Sequence, residues 1–367
     1  MITFKSEEAK AKVLELVRNS GSKDPSVAQP AQAAFASIIS SSLSQVLDPL
    51  SIANLIYDEV IQFTGDTPPE IPIDTYFGLG EGTFRIWSNG VAGGLAYNEI
   101  SGSDNWRFRT SKIDSAIAWS KKYARDSRLD VVQKGIDRLL GEILVKSQYR
   151  AFEVLATALG NAVTGGQSHV IASTAKTAAT ARRFQLDDVN RLMTKIKRLN
   201  ASWAFGTPAV RGSGLTDLFI SPEAMEEIRK MTYNAVNTTN TSATAVELPD
   251  DMRMEIYRSG GASSIYGKNL HELLELGVGQ PYNELFRQKY TQGTGPAWTA
   301  ATDEIIIGID ASMGAFARCI NADENNSTFQ MLADDQHFNR SDKMGFYGSQ
   351  EEGWVVGNDK AIVGILW

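Results

Sequence analysis

Cysteine and histidine are scarce in this chain: its 367 residues include one cysteine, Cys319, and three histidines, His169, His271 and His337. A single thiol excludes an internal disulfide framework, and three scattered imidazoles leave little material for a zinc site. Positive charge is also in short supply. Lys and Arg total 36 against 43 Asp and Glu, a formal net charge of −7, whereas a protein that works by neutralising phosphates shows a basic excess. An acidic protein can still enclose nucleic acid without gripping it. No apolar run is long enough to cross a bilayer, so no membrane association is expected. Near the first residue Lys5, Glu7, Glu8, Lys10 and Lys12 interrupt any signal-like apolar core, so no export is expected. There is no internal repeat.

Several elements are legible. A short amphipathic helix runs from Phe4 to Arg18, with Val13, Leu14 and Val17 on one side. The Ser/Gln/Ala-rich stretch from Gly21 to Ser44 packs weakly by itself, yet Ile38, Ile39, Leu43, Val46 and Leu47 are too apolar for a free tail. It reads as an extended arm lying against the body of the chain or against a neighbour. Pro68, Pro69 and Pro72 remove amide donors and hold the backbone extended, which sets a boundary between Gly65 and Asp74. From Gly78 to Thr110 glycines and aromatics alternate with polar residues. Thr83–Trp87 and Trp106–Arg109 alternate as half-exposed strands do, and Asn89-Gly90 and Gly93-Gly94 supply turns between them. Such a two-stranded ribbon has too little core to be stable alone and gains stability by lying on another surface, an adjacent subunit being the natural candidate.

Between Asp126 and Leu159 there is no proline, and Leu129, Val132, Ile136, Leu139, Ile143, Leu155 and Ala158 recur in steps of three and four. The spacing predicts one helix about 50 Å long, stopped by Gly160 and Asn161. A second helix covers Leu186 to Leu199, with Asp187 and Asp188 in its first turn and Lys195, Lys197 and Arg198 in its last, as the helix dipole prefers. Leu218-Phe219-Ile220 reads as a strand, Ser221 as the N-cap of the following helix and Pro222 as its first residue. Asn234 to Ala245 is a polar loop. Later strands are Glu304–Ile309, Trp354–Val356 and Ala361–Leu366, the last two flanking a turn at Gly357-Asn358-Asp359. The fold class is α+β, mixed.

Most motifs with chemical appeal have a plainer reading. Gly78, Gly80 and Gly82 give G-x-G-x-G, but prolines precede it where a dinucleotide loop needs a strand, and a β-like run follows where it needs a helix. His271-Glu272 would need a second histidine at position 275, which is Glu275, so a surface helix is the better reading. Asp334, Asp335 and His337 cluster, and Asp303, Asp310 and Asp323 are further carboxylates, with no spacing that matches a ligand loop. Ser221 lacks the G-x-S-x-G surround of a nucleophile, and Cys319 reads as a small buried hydrophobe. Asn237, Asn240 and Asn326 begin Asn-x-Ser/Thr triplets, read as polar loops. No catalytic residue, metal site or cofactor is expected, and the chain is not expected to be an enzyme.

Leu215–Met231, the closing stretch Gly345–Trp367 and the order of arm, loop, long helix and mixed α/β region resemble the major capsid proteins of tailed double-stranded-DNA bacteriophages, with the Hong Kong 97-type fold. The resemblance runs through nearly all the chain. It implies an N-terminal arm at 1–77, an extended β-hairpin loop at 78–112 overlapping an adjacent subunit, and a peripheral domain at 113–184 with a spine helix at 126–159. An axial α/β domain at 185–340 and C-terminal strands at 341–367 returning to the peripheral domain complete it. The partners implied are other copies of the chain in pentamers and hexamers, portal and scaffolding proteins, and a decoration or cement protein. The resulting icosahedral shell would enclose DNA without sequence-specific binding, in a virion assembled in the host cytoplasm.

Two departures from the family pattern bear on mechanism. Some members crosslink the loop to a neighbour through a Lys–Asn isopeptide bond, but Glu81 to Ser111 contains no lysine, so that chainmail is not expected. Some members begin with a long scaffolding segment, whereas one short helix precedes the arm here, so scaffolding, if used, is expected to be a separate protein or to be already absent from this chain. Arg85, Trp87, Trp106, Arg107, Phe108 and Arg109 are the expected intersubunit contacts, because aromatic and arginine side chains carry much of the energy of protein interfaces. The alternative is that the aromatics pack within their own hairpin. Competing readings are an encapsulin-like nanocompartment shell and a cytoplasmic enzyme with a carboxylate site between Asp303 and His337.

Overall fold

The computed structural model describes residues 7–22, 24–50, 53–65, 67, 69–73, 104–126, 129–173, 184–203, 214–230, 250–299, 302–322, 328–334 and 343–367. In chain order the elements begin with α1 (Glu7–Ser20), α2 (Pro25–Leu50), α3 (Ala53–Ile56), β1 (Glu59–Phe63), β2 (Glu70–Ile73) and β3 (Asp104–Arg107). Next come β4 (Thr110–Ser120), α4 (Lys121–Arg125), α5 (Leu129–Asn161), β5 (Val163–Thr164), β6 (Gln167–Ser168) and β7 (Val170–Ala172). Then follow α6 (Leu186–Trp203), β8 (Asp217–Ile220), α7 (Pro222–Lys230), α8 (Asp250–Ser259), β9 (Ser264–Ile265) and β10 (Lys268–Glu272). The chain closes with α9 (Pro281–Lys289), β11 (Ile305–Ile309), β12 (Phe316–Asn321), β13 (Gln330–Asp334), β14 (Lys343–Val356) and β15 (Ile362–Leu366). The fold is mixed α+β, in two compact units each assembled from three separate chain segments.

The first unit holds residues 1–69, 107–151 and 317–355. Its sheet runs β1-β12-β14-β13, with β4 also paired to β14. The β4–β14 ladder is antiparallel from Thr110↔Gly353 to Ser120↔Lys343, while β1 lies parallel to β12. Helix α5 buries Ile136, Leu139 and Ile143 in a core shared with Trp119, Phe329, Met344 and Phe346. At its Gly135 a Cβ would sit 3.0 Å from Cδ1 of Ile117 on β4. Glycine therefore lets the helix lie close on the strand.

Residues 25–50 overturn the sequence expectation of an extended arm. They form the 26-residue helix α2. Ala28, Ala31, Gln32, Phe35 and Ala36 are buried at helical spacing, and the Phe35 ring meets Phe346 edge-on at 5.8 Å. Val17 of α1 joins the same core, and Gln32 Nε2 donates to the Ser20 carbonyl at 3.0 Å. Alanine and serine pack weakly as extended chain but allow close helix contact, and the single phenylalanine, Phe35, anchors the face. The N-terminal helices thus fold onto their own unit.

The second unit holds residues 70–106, 152–316 and 356–367. Its six-stranded sheet runs β7-β15-β11-β8-β10-β9. Every residue of β8, β11 and β15 is buried, as strands covered on both faces require. Leu192 and Ile196 of α6, and Ala224, Met225 and Ile228 of α7, pack against Leu218, Ile306, Val363 and Ile365. Within this unit, Phe152 of α5 stacks on Tyr282 of α9 at 4.2 Å.

Two boundaries differ from the sequence reading. The final strands do not travel together: β14, with Trp354, belongs to the five-stranded sheet, whereas β15 pairs with β7 and β11 in the six-stranded one. The expected second domain also ends too late at 340, since β12 and β13 join the sheet of the first unit. An apolar run such as Ile362–Leu366 announces a buried strand but not which sheet buries it. The long helix is α5, Leu129–Asn161, 33 residues and about 50 Å.

Candidate functional site

The sequence-assigned contact set is divided by the structure. Arg85 and Trp87, like the stretch Gly78–Ser103 around them, lie outside the described residues. Strands β2 and β3, which bracket residues 74–103, pair with one another. Trp106 and Arg107 end β3, and Arg107 and Arg109 are exposed. Phe108 is not available to a neighbour. At 2% exposure its side chain is buried within the chain, in the two-residue link between β3 and β4. It is withdrawn from the contact set.

The first unit contains a buried polar knot that the sequence did not reveal. Arg318 of β12 donates from Nη2 to Glu352 Oε2 on β14 at 3.1 Å and from Nη1 to Asn54 Oδ1 on α3 at 3.0 Å. Ser147 Oγ of α5 donates to the same Glu352 oxygen at 3.0 Å. The guanidinium lies 4.7 Å from the Trp354 ring centroid, and Trp354 meets Tyr57 edge-on at 4.8 Å. Tyr57 in turn donates to the Ala151 carbonyl at 2.9 Å. The Arg318 and Glu352 side chains are 3% and 0% exposed. Four separate chain segments meet at one ion pair, so its chemistry is that of a fastener: a dry charge pair fixes register where apolar contacts alone would slide. The only sequence signal was an arginine inside the apolar run Phe316–Ile320.

The second unit has its own buried histidine. His169 is 0% exposed, held between Thr164 Oγ1 at 2.8 Å and the Ile362 carbonyl at 3.1 Å. Burial holds its imidazole below the ordinary value near 6.5, against the opposing pull of Asp359. Below that ordinary value the unfolded chain takes up the proton more readily than the folded one, so stability is full above it and declines as the pH falls. Denaturation midpoints measured at about pH 7 and about pH 5 should show this loss. A His169→Gln variant should show a smaller loss, and an equal one would remove His169 from the account.

The remaining candidates are structural. Ser221 Oγ accepts from the Ala224 amide at 3.1 Å, the N-cap that the sequence predicts. His271 lies on strand β10, not on a surface helix. It pairs with Asp217 of the parallel neighbour β8 at 3.0 Å and stacks on Phe219 at 5.1 Å. Alternation in Lys268–Glu272 is obscured by its polar residues, which is why the helical reading failed. Asp303 accepts from the Thr299 amide at 2.6 Å, and Asp310 from the amides of Gly214 at 3.1 Å and Ser312 at 3.2 Å. Asp323, Asp335 and His337 lie outside the described residues. Among the described residues no group of three or more His, Cys, Asp or Glu could hold a metal ion, and no helix is long and apolar enough to cross a membrane. Cys319 is buried, and burial pushes its thiol up to about 12.

No protein-family profile and no curated protein sequence matches this chain. Among solved structures it is similar to the capsid of the cyanophage P-SCSP1u, at 13% identity over 84% of this chain and 85% of that one, with a TM-score of 0.49. It is likewise similar to the capsid of the empty GTA particle, at 14% identity over 88% and 90%, with a TM-score of 0.49. The SrpI encapsulin of Synechococcus elongatus is similar at 10% identity over 71% and 75%, with a TM-score of 0.40.

Proposed function

We propose that this chain is a major capsid protein of the Hong Kong 97 type, assembling as pentamers and hexamers into an icosahedral shell around the double-stranded DNA of a tailed bacteriophage. The observation that carries the reading is one arrangement. A paired strand base, β2–β3, brackets the glycine- and aromatic-rich residues 74–103, and β4 leads into the five-stranded sheet on which the 33-residue α5 lies. The first unit then corresponds to the peripheral domain with its spine helix. The second, with its six-stranded sheet, corresponds to the axial domain.

On this reading the protein's work is geometric, not catalytic. Repeated weak contacts between copies add up in a closed assembly, so each one can be modest. Residues 78–112 overlap an adjacent copy, with Arg85, Trp87, Trp106, Arg107 and Arg109 as contacts. Portal, scaffolding and decoration proteins are the further partners, and the assembled protein resides in the virion after assembly in the host cytoplasm. The rigid fastening of Arg318 and Glu352 suits a subunit that must transmit load between neighbours without deforming.

The loop contact gives a direct test. Trp106→Ala combined with Arg109→Ala should leave a subunit with unchanged circular dichroism that forms no shells in electron micrographs. Normal particles from the double variant would count against the reading. Shells that hold a protein cargo and no DNA would instead favour an encapsulin-like compartment.

A further inference from the structure

The chain's acidic balance conceals a basic island. From Val154 to Thr216 there are eight lysines and arginines and only two carboxylates, Asp187 and Asp188. Part of this island is α6. Its Val189, Leu192, Ile196 and Leu199 are buried in the core of the second unit, which turns Arg191, Lys195 and Arg198 outward on one face. These three cations, with Thr164, Gly165 and Gln167 from the β5–β6 hairpin, line an open groove of about 690 Å³. Along the helix axis they are spaced by about 6 and 4.5 Å at 1.5 Å per residue.

The charges are unequally committed. Arg191 Nη1 donates to the Ala172 carbonyl at 2.9 Å and lies 3.4 Å from Asp188, which also accepts from Ser173 Oγ at 2.5 Å. Lys195 has one hydrogen bond among the described residues, to Gln167 Oε1 at 3.4 Å. Arg198 is exposed, with no carboxylate partner among the described residues. Asp187 also lines the groove, and Asp359 and Lys360 stand in the short turn packed against α6. Partial burial holds the Lys195 ammonium below its ordinary value, the condition of a cation lacking an anion.

We infer that the α6 groove binds the phosphodiester backbone of DNA, with Lys195 and Arg198 as the principal phosphate contacts. Charge complementarity carries the choice: a row of cations on one helix face fits a repeating anion. The groove's lining contains no aromatic side chain on which a base could stack, so the contact is to backbone and is indifferent to sequence. This inference rests on the shell reading, in which it identifies the genome-facing surface.

The test uses freshly purified full-length chain and a fluorescently labelled duplex of mixed sequence, with anisotropy recorded between about 50 and 200 mM salt, and electron microscopy of the same preparations. Lys195→Gln with Arg198→Gln should weaken binding roughly tenfold or more and lower the slope of log affinity against log salt by about 2, one per phosphate contact. Lys195→Arg with Arg198→Lys should retain binding, which separates lost charge from lost fold. Lys134→Gln with Arg138→Gln, an equal charge change on exposed positions of α5, should leave affinity unchanged. Equal weakening by both neutralised pairs would overturn the site, as would displacement of DNA by poly-glutamate binding as tightly. Unassembled wild-type subunits that bind no DNA yet go on to form shells would overturn the inference and leave the shell reading standing. DNA affinity at this groove in a chain that never forms shells would do the reverse.

Discussion

Arg318→Ala is expected to destabilise the first unit by about 3–5 kcal/mol, the usual consequence of removing one partner from a buried ion pair. The substitution strands the Glu352 carboxylate, which is fully buried, with Ser147 as its remaining donor among the bonds described above. It also removes the bond to Asn54 and the cation over Trp354. Against a typical domain stability of about 5–15 kcal/mol, that is a large fraction of the whole. Because the desolvation of one charge is the main penalty, Arg318→Met with Glu352→Leu should recover a substantial part of the loss. Denaturant titration followed by tryptophan fluorescence reads both. A single variant within about 1 kcal/mol of the parent would contradict the fastening role.

Gly348→Val should be comparably damaging, for a steric reason. Gly348 lies in the middle of β14, opposite Met331 of β13 and Ser115 of β4. A Cβ there would collide with Phe329 Cζ and come within 3.1 Å of Cε1. The Phe329 ring is completely buried and cannot swing aside into solvent. Overpacking of this kind costs about 1–3 kcal/mol for an added methyl and more for a branched side chain. Gly348→Ala is the milder case, its clash partly offset by the smaller freedom of the unfolded chain. Combining either with Phe329→Leu should restore part of the stability, and strict additivity of the two changes would contradict the packing account.

The same residues mark what a sequence can disclose. Helix α5 is legible because Leu139, Ile143 and Leu155 repeat at helical spacing, and the β8–Ser221–α7 corner because strand, cap and proline occur in order. Both signals are local. Strand β14 is far longer than its apolar end Trp354–Val356 suggests, because Gly345, Gly348 and Gly353 and the pair Glu351-Glu352 read as loop. In the folded chain two of those glycines leave room for Phe329 and Cys319 from other segments, and Glu352 answers Arg318 across the sheet. Helix α2 was missed for the related reason that small residues reveal their packing only when the opposing surface is known. Its Phe35 has meaning only beside Phe346. Of the contact set, Arg107 and Arg109 are exposed, whereas Phe108 is buried and nothing local in the sequence distinguishes it from them. The groove on α6 was partly visible as Lys195 and Arg198 in a last turn, where the helix dipole already explains them.

The shell claim itself turns on one experiment, cryo-electron microscopy of the purified wild-type chain at assembly concentrations. The account predicts closed particles of megadalton mass with five-fold vertices, in which residues 78–112 of each copy rest on a neighbour. A population of monomers or small discrete oligomers, with those residues folded back on their own subunit, would contradict it.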